Sequence, residues 1–215
     1  GAGIDTFVIR TGDGGSSIAD ADTITDFTDG TDVIGIDSLN YSDLTISQGS
    51  GDNASHTIIS KDSEYLVKVL NTTSSSLNYY DIASTSTSSS TLNGTSENDV
   101  LVGGAGNDTI TAGGGTDVVV GHGGNDSITI NNSGYITVNG GSGTDTLSIS
   151  YSGITDIGSF TTRIRQTDNV YVLTDGSGNT ISFSNIGSDI DGDVWGATTG
   201  LIINGAAYCI SSDKY

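Results

Sequence analysis

Apolar residues along this chain fall in short alternating runs and never at helical spacing. TFVI, TDVIGI, LTIS, HTIIS and EYLVKVL occupy the first eighty-odd residues, and NVYVLTD and NTISFSNI lie near the other end. Turns rich in Gly, Asp and Asn separate them, the pattern of half-buried strands joined by tight turns. The pattern predicts an all-β protein. Between these regions the alternation changes character. From Gly94 the chain reads in nines: GTSENDVLV, GGAGNDTIT, AGGGTDVVV, GHGGNDSIT and, after a ten-residue irregularity, GGSGTDTLS from Gly140. The sixth position is Asp99, Asp108, Asp117, Asp126 and Asp145, and the eighth is Leu101, Ile110, Val119, Ile128 and Leu147.

A unit made of a six-residue turn and a three-residue strand cannot bury its own hydrophobic residue, so it must be stacked. In the stack the eighth-position aliphatics face a thin core, and the seventh and ninth positions face solvent. Glycines in the turns permit positive φ and close backbone approach. One unit makes half a coil, so turns on one edge recur every eighteen residues. That places Asp99 in a column with Asp117, and Asp108 with Asp126. Carboxylates stacked in this way repel unless a cation lies between them.

Composition points the same way. The 215 residues include 32 Gly, no Pro and 33 % hydrophobic residues, and 26 acidic against 6 basic residues give a formal charge of −20. Such a charge opposes compaction until counter-ions neutralise it, and it excludes nucleic acid and anionic membranes as natural partners. Ca²⁺ complements it, since this ion prefers carboxylate and carbonyl oxygen. No stretch approaches the roughly 18 apolar residues of a membrane-spanning helix, so membrane insertion is not expected. Cys209 is alone and cannot form an intrachain disulfide; a small buried hydrophobe is the expected role. The opening GAGIDTFVI fits the last eight residues of a further nonapeptide plus one more, so a longer parent chain with neighbouring domains is expected.

The nonapeptides, of which GGAGNDTIT is the fullest match, resemble the GGxGxDxUx signature of the RTX (repeats-in-toxin) parallel β-roll over about 60 residues. The resemblance implies Ca²⁺ ions, two to three or more, between turns on one edge. They are held by carbonyls one and three of one turn, carbonyls two and four of the next, and both sixth-position aspartates. Carried over, one site joins Gly94, Ser96 and Asp99 to Gly113, Gly115 and Asp117, and a second joins Gly103, Ala105 and Asp108 to His122, Gly124 and Asp126. A third joins Gly121, Gly123 and Asp126 to Gly141, Gly143 and Asp145, across a spacing of nineteen. The turn from Asn131, NNSGY, lacks the acid, so no complete site is expected above 112–117 on that edge.

The first region, GAGIDTFVI followed by DTITDFTDGTDVIGI, resembles the C-terminal segment of serralysin-type metalloproteases, which closes their β-roll. The catalytic HExxH is absent, His56 and His122 stand apart, and Ser is too abundant for any Ser/His/Asp set to signify. No enzyme is expected. At His122 only the carbonyl is useful to a turn site. The acids Asp20, Asp22, Asp26, Asp29 and Asp32 read as turn chemistry or as the surroundings of one ion. DIDGD, from Asp189 to Asp193, reads as a solvated turn or a metal loop, although its spacing fails the EF-hand pattern. Tyr79, Tyr80 and Trp195 either close the end of a β-structure or stack on sugar.

The expected organisation is a serralysin-C-like β module over 1–90, with the polar run STSTSSST (84–91) as loop or linker. A parallel β-roll of RTX repeats follows over 91–150, then a C-terminal β capping module over 151–215; the flanks are irregular or antiparallel. The expected function is a calcium-binding structural module of a large bacterial protein. The resemblance implies export unfolded by type I secretion and folding on Ca²⁺ outside the cell or at its surface. The other reading is a ligand-binding adhesin module for carbohydrate, a cell surface or ice, which a regular array of Thr on one face would favour.

Overall fold

Parallel pairing, which eighteen-residue stacking requires, organises the larger of two compact units in the computed structural model. The units are Gly1–Ser86 and Thr87–Tyr215. The structure describes residues 3, 5–165, 170–188 and 200–208. The DIDGD run, Trp195 and Cys209 lie outside the described residues.

The first unit contains strands β1 (Thr6–Arg10), β2 (Asp22–Ile24), β3 (Val33–Asp37), β4 (Thr45–Gln48), β5 (Thr57–Lys61), β6 (Glu64–Val69) and β7 (Ile82–Ser84). The five runs read as strands from the sequence correspond to β1, β3, β4, β5 and β6. They form a parallel sheet in the order β1-β3-β7 and a four-stranded sheet β2-β6-β5-β4 in which β4, β5 and β6 are antiparallel. Ile9, Ile34, Ile36, Leu66, Val67, Val69 and Ile82 belong to its core.

The second unit begins with the roll: β8 (Thr91–Asn93), β9 (Val100–Val102), β10 (Thr109–Thr111), β11 (Gly115–Val120), β12 (Ser127–Ile130), β13 (Gly134–Asn139) and β14 (Thr144–Ile149). It continues with β15 (Phe160–Arg165), β16 (Tyr171–Asp175), β17 (Thr180–Ser184), β18 (Gly187–Ser188), β19 (Leu201–Ile203) and β20 (Ala206–Tyr208). Alternate strands build two sheets. In one, β8, β10, β12, β14 and β19 are parallel neighbours. In the other, β9, β11, β13 and β17 are parallel, and β16 and β15 extend the sheet antiparallel.

Register aligns the eighth-position residues. Leu92, Ile110, Ile128, Leu147 and Leu201 form one column, and Leu101, Val119, Val138 and Phe183 form another. All nine belong to one hydrophobic cluster or pack against it. Burying each such side chain stabilises the stack by about 1.5–3 kcal/mol. The same cluster takes in Tyr151, Phe160, Tyr171 and Leu173, with the rings of Tyr171 and Phe183 stacked at 5.6 Å. Residues beyond the repeats therefore finish the core with aromatic bulk that no nonapeptide supplies.

The ten-residue irregularity does not disturb the edge that matters. β12 still pairs β14 through Ser127↔Thr146 and Ile128↔Leu147. The extra residue is taken up around 131–133, in the turn between β12 and β13 on the opposite edge.

Candidate metal centre

The turns lie in two columns, 94–99 with 112–117 on one edge, and 103–108, 121–126 and 140–145 on the other. Each sixth-position aspartate is placed by a hydrogen bond between coils. Asp99 N donates to Asp117 Oδ1 at 3.0 Å, Asp108 N to Asp126 Oδ1 at 2.8 Å, and Asp126 N to Asp145 Oδ1 at 2.8 Å. The spacing of nineteen thus holds Asp145 as firmly as eighteen holds Asp126. The column continues downward into the polar run after β7, where Ser90 N donates to Asp108 Oδ1 at 2.7 Å. The segment expected as loop or linker forms no strand over 85–90, but it serves as an acid-free turn beneath 103–108.

In turns 103–108, 121–126 and 140–145 the first-position glycine leaves room for that carboxylate, whereas turn 112–117 carries Ala112 there. A Cβ on Gly103 would lie 2.5 Å from Asp108 Oδ2 and 2.6 Å from the Gly121 carbonyl oxygen. On Gly121 it would collide with Asp126 Oδ2 and the Gly140 carbonyl, and on Gly140 with Asp145 Oδ2 and the Asn185 carbonyl. Each glycine leaves a cradle in which the acid lies between two levels of backbone. At the second and fourth positions the later turns use left-handed backbone: Gly113 and Gly115, His122 and Gly124, and Gly141 and Gly143. His122, at φ 70°, adopts this conformation without being glycine.

Carbonyl use divides by position. Thr95, Gly104 and His122, all second-position residues, accept from Gly114 N, Gly123 N and Ser142 N at 2.8, 2.8 and 2.6 Å. The first- and third-position carbonyls of those turns, on Gly94, Ser96, Gly103, Ala105, Gly121 and Gly123, accept no hydrogen bond among the described residues. His122, expected to offer only its carbonyl, has that oxygen engaged by Ser142 twice, through N at 2.6 Å and Oγ at 3.4 Å.

The fifth-position Asn residues were not anticipated. Asn98 Oδ1 accepts from Thr116 N, Asn107 Oδ1 from Asn125 N, and Asn125 Oδ1 from Thr144 N, at 2.8, 2.7 and 2.8 Å. They tie one coil to the next beside the acids. The signal was visible, since Asn precedes Asp in three of the five repeats.

Electrostatically the site is unfavourable as built from protein alone. Asp108, Asp117, Asp126 and Asp145 are between 0 and 2 % exposed. The Oδ2 atoms of Asp117, Asp126 and Asp145 are buried with no hydrogen-bond partner. Burial raises the pKa of Asp117 and Asp145 above the ordinary carboxylate range. Asp126 is pushed up to about 7, by burial first and then by the charges of Asp145 and Asp108. An unpaired buried carboxylate costs several kcal/mol. Oxygen-only surroundings, two acids and free carbonyls fit a hard cation of low geometric demand, which is Ca²⁺.

Of the acids in the first unit, Asp20 and Asp32 bond turn backbone, and Asp22 lies in β2. Asp20 Oδ2 accepts from Ser17 N and Oγ. Asp32 accepts from Asp5 N at 3.0 Å and Thr28 N at 2.8 Å, while Val33 N donates to the Asp5 carbonyl at 2.9 Å. This is the inter-coil bonding of the roll repeated in the first unit, with FTDGTD (27–32) acting as a nonapeptide turn. No group of three or more His, Cys, Asp or Glu side chains able to hold a metal occurs among the described residues. The turn pairs supply two carboxylates at most, so carbonyls must complete their oxygen shell. Tyr79 packs against Tyr80 at 4.6 Å and edge-on to Tyr41 at 6.4 Å, with Tyr80 43 % exposed.

Residues 93–128 match the RTX calcium-binding nonapeptide repeat in four copies. No curated protein matches the chain. The repeats bind Ca²⁺, and no helix among the described residues is long and apolar enough to cross a membrane.

Proposed function

We propose that this chain, a carrier of RTX calcium-binding repeats, is a structural module of a secreted bacterial protein that folds when it meets extracellular Ca²⁺. Buried Oδ2 atoms without partners, on Asp117, Asp126 and Asp145, carry the reading. An ion between stacked turns removes their cost, and without it the thin core must offset the ordering entropy of a Gly-rich chain. At ten times its Kd each ion adds about 1.4 kcal/mol, so two or three decide folding in a marginal module. The ligands are those carried over above: Gly94, Ser96 and Asp99 with Gly113, Gly115 and Asp117; Gly103, Ala105 and Asp108 with His122, Gly124 and Asp126; and Gly121, Gly123 and Asp126 with Gly141, Gly143 and Asp145. Export through a type I channel suits a chain that stays unfolded at low cytosolic calcium. Circular dichroism during calcium titration tests this. Calcium should induce β structure with a midpoint of roughly 10⁻⁴–10⁻³ M, and magnesium should do so poorly because it dehydrates reluctantly. Equal midpoints for the two ions would contradict the carbonyl-rich site.

One observation favours an adhesin reading as well. The outward positions of β8, β10, β12 and β14 pair in register as Thr91, Thr109, Ser127, Thr146 and as Asn93, Thr111, Thr129, Ser148. None of these eight side chains makes a hydrogen bond among the described residues. The equivalent positions of β9 and β11 carry Val100, Val102, Val118 and the buried Val120. A neutral hydroxyl grid without aromatic rings suits ice better than sugar. Failure of the calcium-loaded chain to partition into slowly growing ice would remove this reading.

A further inference from the structure

Under the reading that ions lie between stacked turns, the three turn pairs are not equivalent. In 94–99, Asp99 Oδ2 accepts from Thr95 N at 2.7 Å and Thr95 Oγ1 at 3.0 Å. In 103–108, Asp108 Oδ2 accepts from Gly104 N at 2.8 Å. Both acids are committed to their own turns. A cation entering the pair 94–99/112–117, or the pair 103–108/121–126, therefore meets one committed carboxylate and one open one.

Between 121–126 and 140–145 the situation differs. Asp126 and Asp145 both bury an Oδ2 that has no partner, and the side chains are 2 and 0 % exposed. The backbone differs in the same sense. The second and fourth positions of both turns are left-handed, with φ of 70° at His122, 104° at Gly124, 98° at Gly141 and 125° at Gly143. At Thr95, Glu97, Gly104 and Gly106 the backbone is not left-handed. The two earlier turns are thus of a second, self-bonded kind.

A cation relieves two unpaired buried carboxylates in the last pair and one in either of the others. A site whose turns already share one conformation also requires less reordering on binding. We infer that calcium loads the roll in a fixed order, beginning between turns 121–126 and 140–145 at Asp126 and Asp145. The interval of nineteen residues, which on repeat spacing alone marks the weakest pair, belongs to the first one filled.

Ion counting by native mass spectrometry and calorimetric calcium titration of the whole chain test the order. Asp145→Asn should weaken the tightest step by about ten-fold or more. Asp99→Asn should leave that step unchanged and weaken a later one. The reverse result overturns the order while leaving ions between turns. If neither variant changes any step or the number of bound ions, the placement between turns fails, and the order with it. Hydrogen exchange of the unsubstituted chain decides the case in which Asp145→Asn does not fold. At one equivalent of calcium, protection should appear first over 121–147. Protection appearing first over 94–119 overturns the proposal.

Discussion

Gly121→Ala is the smallest change that tests the cradle. The added methyl would overlap two oxygens at once, Asp126 Oδ2 and the Gly140 carbonyl. The carboxylate can rotate away only by leaving its bond from Asp108 N, and the carbonyl belongs to backbone held by Gly140 N donating to the Ser184 carbonyl. Neither gives cheaply, so the cost lies near the upper end of overpacking, about 3 kcal/mol. That is about two decades in the folding constant, and shared over two or three ions it raises the calcium midpoint by roughly 5- to 12-fold. Gly176→Ala is the control, since its Cβ would meet nothing within 4 Å in the hairpin between β16 and β17. Its effect should stay within about 0.5 kcal/mol. Calcium titrations followed by circular dichroism read both variants. If the Gly121→Ala midpoint lies within two-fold of the control, the acid is not held above that glycine.

Three further outcomes follow from the same geometry. Asp108→Ala should damage calcium-dependent folding far more than Asp13→Ala, because Asp108 is buried and bonded to Ser90 N and Gly104 N, whereas exposed Asp13 only accepts from Arg10 N; equal midpoints would sink the assignment. Asp126 ionises near pH 7 in the fold against about 3.8 when unfolded, so between those values the folded state holds a proton that the unfolded chain has lost. Calcium-free stability should therefore fall as pH rises through that window, at up to about 1.4 kcal/mol per unit. Calcium acting on the unfolded chain, whose Asp126 is already ionised above about pH 5, displaces no proton, so the calcium midpoint should hold steady from about pH 7.5 to 5.5; a midpoint that climbs over that range would mean that calcium enters a protonated site already folded without it. Tyr151→Phe removes the donor to Asp175 Oδ2 at 3.1 Å and should cost about 1.5–3 kcal/mol in urea unfolding at saturating calcium. An unchanged midpoint would mean that this bond does not help tie the hairpin to the roll.

The period of nine made the turns and both columns of apolar residues legible, because stacking turns a linear repeat into a spatial one. Asp99, Asp108, Asp117, Asp126 and Asp145 take places that follow from their spacing alone. What the repeat could not disclose is how each turn closes. Thr95 N and Gly104 N donate to the acid of their own turn, while Gly113 and His122 are left-handed, although all four occupy the second position of a unit. The pairing of β1 with β3 was hidden by its 27-residue coil, Thr6 opposite Val33, which shows no period. Alternation reveals which face a residue occupies and not which strand lies beside it. NTISFSNI therefore read as a strand without showing that β17 adds to β13 in parallel, or that Phe183 joins the column of Leu101, Val119 and Val138.

Hydrogen exchange across residues 100–130, with calcium and with chelator, addresses the central claim most directly. Here Ile110, Val119 and Ile128 are buried in the core while Asp108, Asp117 and Asp126 lie buried beside them in the turns. If cations between the turns hold the roll together, these amides are protected in calcium, lose protection in chelator and regain it when calcium returns. If they stay equally protected in both conditions, the hydrophobic columns suffice and calcium only decorates a self-sufficient fold.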